Sequence, residues 1–101
     1  MKQLTITGKS VGPTETQIRR QVESNMRFKG WFVFYILQGM GAYKGVPDLI
    51  AAKNGETIAL EIKRPGGRQS DHQKRFQANY EAAGCKYIIA RGIEDLEEKG
   101  F

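Results

Sequence analysis

The dipeptide Asn54-Gly55 constrains this 101-residue chain more than any other feature of its sequence. It separates two β-prone runs, Asp48–Lys53 (Asp-Leu-Ile-Ala-Ala-Lys) and Glu56–Lys63 (Glu-Thr-Ile-Ala-Leu-Glu-Ile-Lys). A two-residue hairpin loop needs positive φ at its central positions, and asparagine followed by glycine adopts that backbone at the lowest steric cost. The turn therefore predicts a register. Lys53 pairs with Glu56, and counting back along both strands sets Asp48 opposite Glu61. Directly opposed side chains share a face, with Cβ atoms roughly 4.5–5.5 Å apart. Lys63, two residues beyond Glu61, points to the same face. One tight turn thus gathers two carboxylates and an amine.

The rest of the chain predicts what surrounds that hairpin. Residues 1–13 alternate weakly and read as a short strand or arm. Thr14-Glu-Thr-Gln17 is a capping-box pattern, and Ile18, Val22 and Met26 form one apolar stripe on a helix over about residues 15–27. Gly30 ends it. Trp31–Leu37 is aromatic and apolar on both faces, which predicts a strand covered on both sides. The glycine-rich loop Gln38–Gly45 is neither a phosphate-cradling loop nor a dinucleotide fingerprint, because Val46-Pro47 follows where a helix would have to start. No nucleotide cofactor is expected. Ser70-Asp-His-Gln73 is a second capping box, opening a helix with Phe76, Tyr80 and Ala83 on one face and Gly84 as its stop. Lys86–Ala90 is a last strand and Ile93–Lys99 a short acidic helix. The order α-β-β-β-α-β-α predicts an α/β (α+β) fold, one mixed sheet flanked by helices, in a single domain over residues 1–101.

Composition excludes several classes. The longest apolar run has seven residues, far short of a membrane span, and no signal peptide is expected. A lone cysteine, Cys85, makes no internal disulfide and points to a reducing, cytoplasmic setting. It reads as a small apolar filler, and His72 as a solvated helix position; together they are too few for a Cys/His zinc site. Sixteen Lys/Arg against eleven Asp/Glu give +5, and the last eight residues hold four of the acids and one base, so the remainder carries +8. Such a bias fits a polyanionic partner, most simply nucleic acid, or a soluble surface that is merely basic.

Like charges opposed across a hairpin repel unless one is protonated or a cation intervenes. A hard divalent cation prefers oxygen ligands, and magnesium takes one or two carboxylates while keeping several waters, which suits phosphate-ester hydrolysis. Lys63 can orient or deprotonate water, or stabilise the charge on the phosphate. The plainer alternative makes Asp48 a turn cap after Pro47, and Glu61 and Lys63 a surface ion pair.

Val46-Pro47-Asp48 followed by Glu61-Ile62-Lys63 resembles the PD-(D/E)xK nuclease motif. The wider string Lys44-Gly-Val-Pro-Asp-Leu49, then Glu61–Arg68, Ser70 and Gln73, is similar to the VRR-NUC branch, which occurs as stand-alone phage and bacterial proteins. The resemblance covers about residues 14–91 and implies a restriction-endonuclease-like αβββαβ core. It also implies Mg²⁺- or Mn²⁺-dependent cleavage of DNA phosphodiesters. Asp48 and Glu61 correspond to metal ligands, the Ile62 carbonyl to a further one, and Lys63 to the catalytic lysine. Glu15 corresponds to a helical glutamate that completes such sites. It precedes the apolar stripe and is expected to face the sheet, though a first-turn acid also favours the helix dipole. Glu23 lies off the stripe and is a weaker candidate. Gln73 matches a glutamine near the site, or simply closes its capping box. Gln69 stands where the family often has an apolar residue.

Lys44, Arg64 and Arg68 flank the carboxylates in two glycine-containing loops, and Lys74 and Arg75 extend a basic track for DNA. Nothing resembles a recognition helix, so structure rather than base sequence is the expected target. Stand-alone members of the family are homodimers that cut branched DNA such as four-way junctions, and the aromatic segment Trp31–Leu37 or the N-terminal arm can supply the interface. The competing readings are a flap- or duplex-cutting nuclease with the same site, a DNA-binding module without turnover, and an interaction protein that leaves the paired carboxylates unexplained.

Overall fold

The computed structural model describes residues 12–101; the expected N-terminal strand or arm lies almost entirely outside the described residues. The elements follow in the expected order: α1 (Glu15–Phe28), β1 (Phe32–Tyr35), β2 (Leu49–Lys53), β3 (Glu56–Ile62), α2 (Asp71–Ala82), β4 (Lys86–Ala90) and α3 (Ile93–Glu98). The sheet order is β1-β2-β3-β4. β1, β2 and β3 are antiparallel neighbours, whereas β4 runs parallel to β3 after the α2 crossover.

Local chemistry sets these boundaries. Thr14 and Gln17 exchange both bonds of the capping box, at 2.8 and 3.1 Å, and start α1. Ser70 and Gln73 do the same for α2, at 2.8 and 3.1 Å. At the hairpin, Asn54 and Gly55 have φ of 53° and 79°, the positive pair a type I′ turn needs. Lys53 pairs with Glu56, and the register runs back through Leu49 against Leu60, as the turn predicts.

One sheet face carries Val33, Leu49, Ala51, Ile58, Leu60, Ile62, Ile88 and Ala90. These pack with Ile18, Val22 and Met26 of α1 and Leu96 of α3 to form the core. The opposite face carries Ala59, Glu61 and Tyr87, with α2 leaning over β4 through Phe76 and Tyr80.

Two expectations are corrected here. Trp31–Leu37 is not a strand covered on both sides. β1 is a four-residue edge strand, and Phe32 and Phe34 stand 67% and 42% exposed on the face that alternation turns away from α1. The reason is the position of α2, which covers the β4 side of that face and stops short of β1. For the same reason α2 buries no residue fully. Phe76 and Tyr80 are half-buried, and Ala83, its C-cap, is exposed.

Candidate active site

Val46 and Pro47 are buried and anchor the chain just before β2. Gly45, ahead of them, has φ +83°, and its α-carbon lies so close to the His72 carbonyl at the start of α2 that a Cβ would collide with that backbone. The glycine loop is thereby pinned against α2, and Asp48 emerges at a fixed point. Its N–H donates at 3.1 Å to the carbonyl of Leu60, the residue that Leu49 already pairs with, so the chain leaves the regular register just before β2 in the manner of a β-bulge. Its carboxylate Oδ2 accepts the Ile62 N–H at 2.7 Å. Burial pushes the Asp48 carboxyl above its ordinary range. The Ile62 bond opposes that shift, nearby Glu15 and Glu61 add to it, and Arg19 opposes it.

Glu61 is fully buried on β3. Its Oε1 accepts the Tyr87 hydroxyl and, at 3.0 Å, the Gln69 amide. Its Oε2 is buried without a hydrogen bond, with the Lys63 ammonium 3.6 Å away as an ion pair. Asp48, Glu61 and Lys63 therefore lie together at this end of the hairpin, although the regular pairing stops at Leu49 and Leu60 and does not extend to the expected Asp48–Glu61 pair. Burial, followed by the bond to the Glu61 carboxylate, holds the Tyr87 phenol well above the ordinary tyrosine range, so it remains a proton donor.

The donor set fits a hard cation. A buried carboxylate oxygen with no hydrogen bond is costly unless something positive meets it. Asp48 and Glu61 would supply two carboxylates, a number that suits magnesium. Among the described residues no group of three or more His, Cys, Asp and Glu side chains is close enough to hold a metal. Glu15 is exposed in the first turn of α1 and not shielded from solvent as expected, yet its charge acts on Asp48. The buried stripe of α1 begins only at Ile18, one turn further on.

The remaining candidates distribute around this centre. Gln73 uses its side-chain oxygen to accept the Ser70 N–H, and lines a cavity of about 290 Å³ between the glycine loop and α2, together with Lys44 and His72. Lys44, Arg68, Lys74 and Arg75 are exposed, and Arg64 donates to the Pro13 carbonyl at 3.1 Å. His72 is exposed and Cys85 half-buried. Glu23, read as lying off the stripe, is buried; it accepts the Tyr35 hydroxyl at 2.6 Å and pairs with Arg27.

Three residues near the carboxylates escaped the sequence reading. Tyr87 and Gln69 reach Glu61 directly, and Arg19 offsets the Asp48 charge while lying over the Tyr35 ring at 5.6 Å. Only Gln69 carried a signal, as a polar residue where an apolar one was expected. Among the described residues no helix is long and apolar enough to cross a membrane.

No family model matches the sequence, and no curated protein matches it. Solved structures share its fold. A structure described as a VRR_NUC domain superposes with a TM-score of 0.73 at 19% identity, over 83% of this chain and 90% of that one. The Holliday junction resolvase Hjc of Archaeoglobus fulgidus, an archaeal hyperthermophile, superposes with a TM-score of 0.57 at 14% identity. That match covers 73% of this chain and 64% of Hjc. The fold expected from the motif resemblance is thus the fold observed.

Proposed function

We propose that this chain is a divalent-metal-dependent endonuclease that hydrolyses phosphodiesters of branched DNA. The observation that carries the reading is the convergence of Asp48, Glu61 and Lys63 at the end of the hairpin, with Glu61 Oε2 buried and lacking a hydrogen bond. Asp48 and Glu61, with the Ile62 carbonyl, would hold Mg²⁺ or Mn²⁺. Such an ion supplies Lewis acidity at a phosphate oxygen and makes water a better nucleophile.

The chain's own groups do the rest. Lys63 lies beside the carboxylates, where it steadies negative charge gathering on the phosphate and orients the attacking water. Lys44, Arg64, Arg68, Lys74 and Arg75 seat the flanking phosphates, and Glu15 and Gln73 border the centre from the two helix starts. Likeness in fold to a Holliday junction resolvase supports a four-way junction as substrate. A homodimer suits the two symmetric strands of such a junction, and the exposed aromatic edge at Phe32 and Phe34 supports one. The unpaired Cys85 thiol favours work inside the cell.

The test is cleavage of labelled four-way-junction, flap and linear duplex DNA in Mg²⁺, Mn²⁺ or EDTA, with Glu61→Gln beside the parent and the mass in solution measured by sedimentation. Symmetric nicking of the junction by a dimer, lost in EDTA and in the variant, is the expected result. Cutting of flaps or duplex alone removes the junction assignment. DNA binding with no metal-dependent cutting makes the chain a non-catalytic module.

A further inference from the structure

Glu61 is held asymmetrically. Both hydrogen bonds to its carboxylate fall on Oε1, one from the Tyr87 hydroxyl and one from the Gln69 amide at 3.0 Å, whereas Oε2 is buried with none. The same Gln69 amide nitrogen also donates to Gln77 Oε1 at 2.9 Å. Gln77 in turn donates to Glu81 Oε2 at 3.3 Å. The polarity of this chain is forced. A carboxylate only accepts, so Glu81 turns the Gln77 nitrogen outward and its oxygen toward Gln69. Gln69 then presents both amide hydrogens, one to Gln77 and one to Glu61. Tyr87 is fixed from the other side, 6% exposed on β4 with its ring against Phe76 and Tyr80 of α2.

We infer that Tyr87 and Gln69 are positioning residues, which occupy Glu61 Oε1 and so fix Oε2 as the oxygen offered to the cation. The inference rests on the metal-dependent reading above and deepens it. A carboxylate with both oxygens free rotates about its last bond and splits its charge between several orientations. Two neutral donors on one oxygen remove that freedom without cancelling the charge. Side chains that orient a ligand in this way typically change metal affinity by about 10–100-fold when they are removed. Neither residue reaches the reacting phosphate in this scheme, and each acts through Glu61.

The test is isothermal titration of the full chain with Mn²⁺, comparing the parent, Tyr87→Phe, Gln69→Leu and Glu61→Gln, together with melting curves in EDTA. The expected result is Mn²⁺ affinity about 10-fold weaker in Tyr87→Phe and in Gln69→Leu, and lost in Glu61→Gln. Cleavage by the two positioning variants should return as Mn²⁺ is raised. A purely structural role would lower the melting point in EDTA and leave the affinity of the folded protein unchanged. Folded variants that bind Mn²⁺ within about twofold of the parent therefore overturn the inference and spare the nuclease reading. A parent chain that binds no Mn²⁺ overturns both. Should Tyr87→Phe fail to fold, Gln69→Leu decides alone, since Gln69 is half-buried in the loop before α2.

Discussion

Replacing Asp48 with asparagine should move stability in opposite directions with and without metal. Asparagine keeps an acceptor for the Ile62 N–H that Asp48 now engages at 2.7 Å, and removes the charge. That charge is disfavoured in the fold, because burial and the neighbouring Glu15 and Glu61 outweigh the Ile62 bond and Arg19. Like charges opposed across a hairpin cost roughly 0.2–1 kcal/mol. Asp48 is only partly buried, and Lys63 already offsets Glu61, so about 0.5 kcal/mol is the reasonable share. In a domain of this size that raises the melting temperature in EDTA by roughly 2–4 °C.

With Mn²⁺ at a hundred times its dissociation constant, the parent gains about 2.7 kcal/mol, or roughly 10–20 °C. Asp48→Asn loses most of that gain, so the order of the two proteins reverses. The pH dependence carries the same sign. The folded carboxyl titrates above its unfolded value of about 3.9, so through that interval the folded chain holds more protons and stability falls as pH rises. The advantage of Asp48→Asn in EDTA should therefore grow from acid pH upward and then level off. Thermal melts by circular dichroism across pH, in EDTA and in Mn²⁺, measure all of it. A variant less stable than the parent in neutral EDTA, or one that retains the full Mn²⁺ gain, refutes the argument.

Two further outcomes follow from the loops. Gly41→Ala, at φ +87° with open space around it, should cost only about 1 kcal/mol of backbone strain, whereas Gly45→Ala, at φ +83°, adds to the same strain a collision with the His72 backbone worth roughly 1–3 kcal/mol more. Melting curves of the two variants separate collision from strain, and equal losses would show that the loop is not pinned on α2. Replacing Lys44 and Arg68 together by alanine should reduce the slope of log affinity for DNA against log salt by about 2. Fluorescence anisotropy in EDTA reads it, and an unchanged slope removes these residues from the DNA track.

What was legible in the sequence is what local geometry dictates. The two capping boxes, the type I′ turn and the Lys53–Glu56 pairing each depend on residues within three or four positions of one another. What was not legible depends on which element covers which face. Trp31–Leu37 reads as a buried strand because its composition is apolar on both sides, but composition does not reveal that α2 stops over β4 and leaves Phe32 and Phe34 uncovered. Glu23 lies off the stripe, yet is buried because Tyr35, twelve residues on, returns to meet it. Tyr87 stands 26 residues from Glu61 and reaches it only because β4 pairs parallel to β3 in one particular register.

That register ties the site to the core. Along β3 the residues alternate, Ile58, Leu60 and Ile62 into the core, and Ala59 and Glu61 toward α2. A slip of one residue in either neighbouring pairing would turn Glu61 into the apolar layer against Ile18 and Val22, and Leu60 into the polar cluster of Gln69 and Tyr87. Neither exchange is tolerable, because one buries an unpaired carboxylate and the other strips the core of its apolar contacts. The hydrophobic packing that stabilises the sheet therefore also specifies where Asp48 and Glu61 meet. Asn54-Gly55 starts this register, and β4 locks it from the opposite edge. Loosening the turn, for example with Gly55→Val, should consequently disturb the carboxylate pair before it disturbs the α1 packing, with Mn²⁺ affinity falling more steeply than the melting temperature.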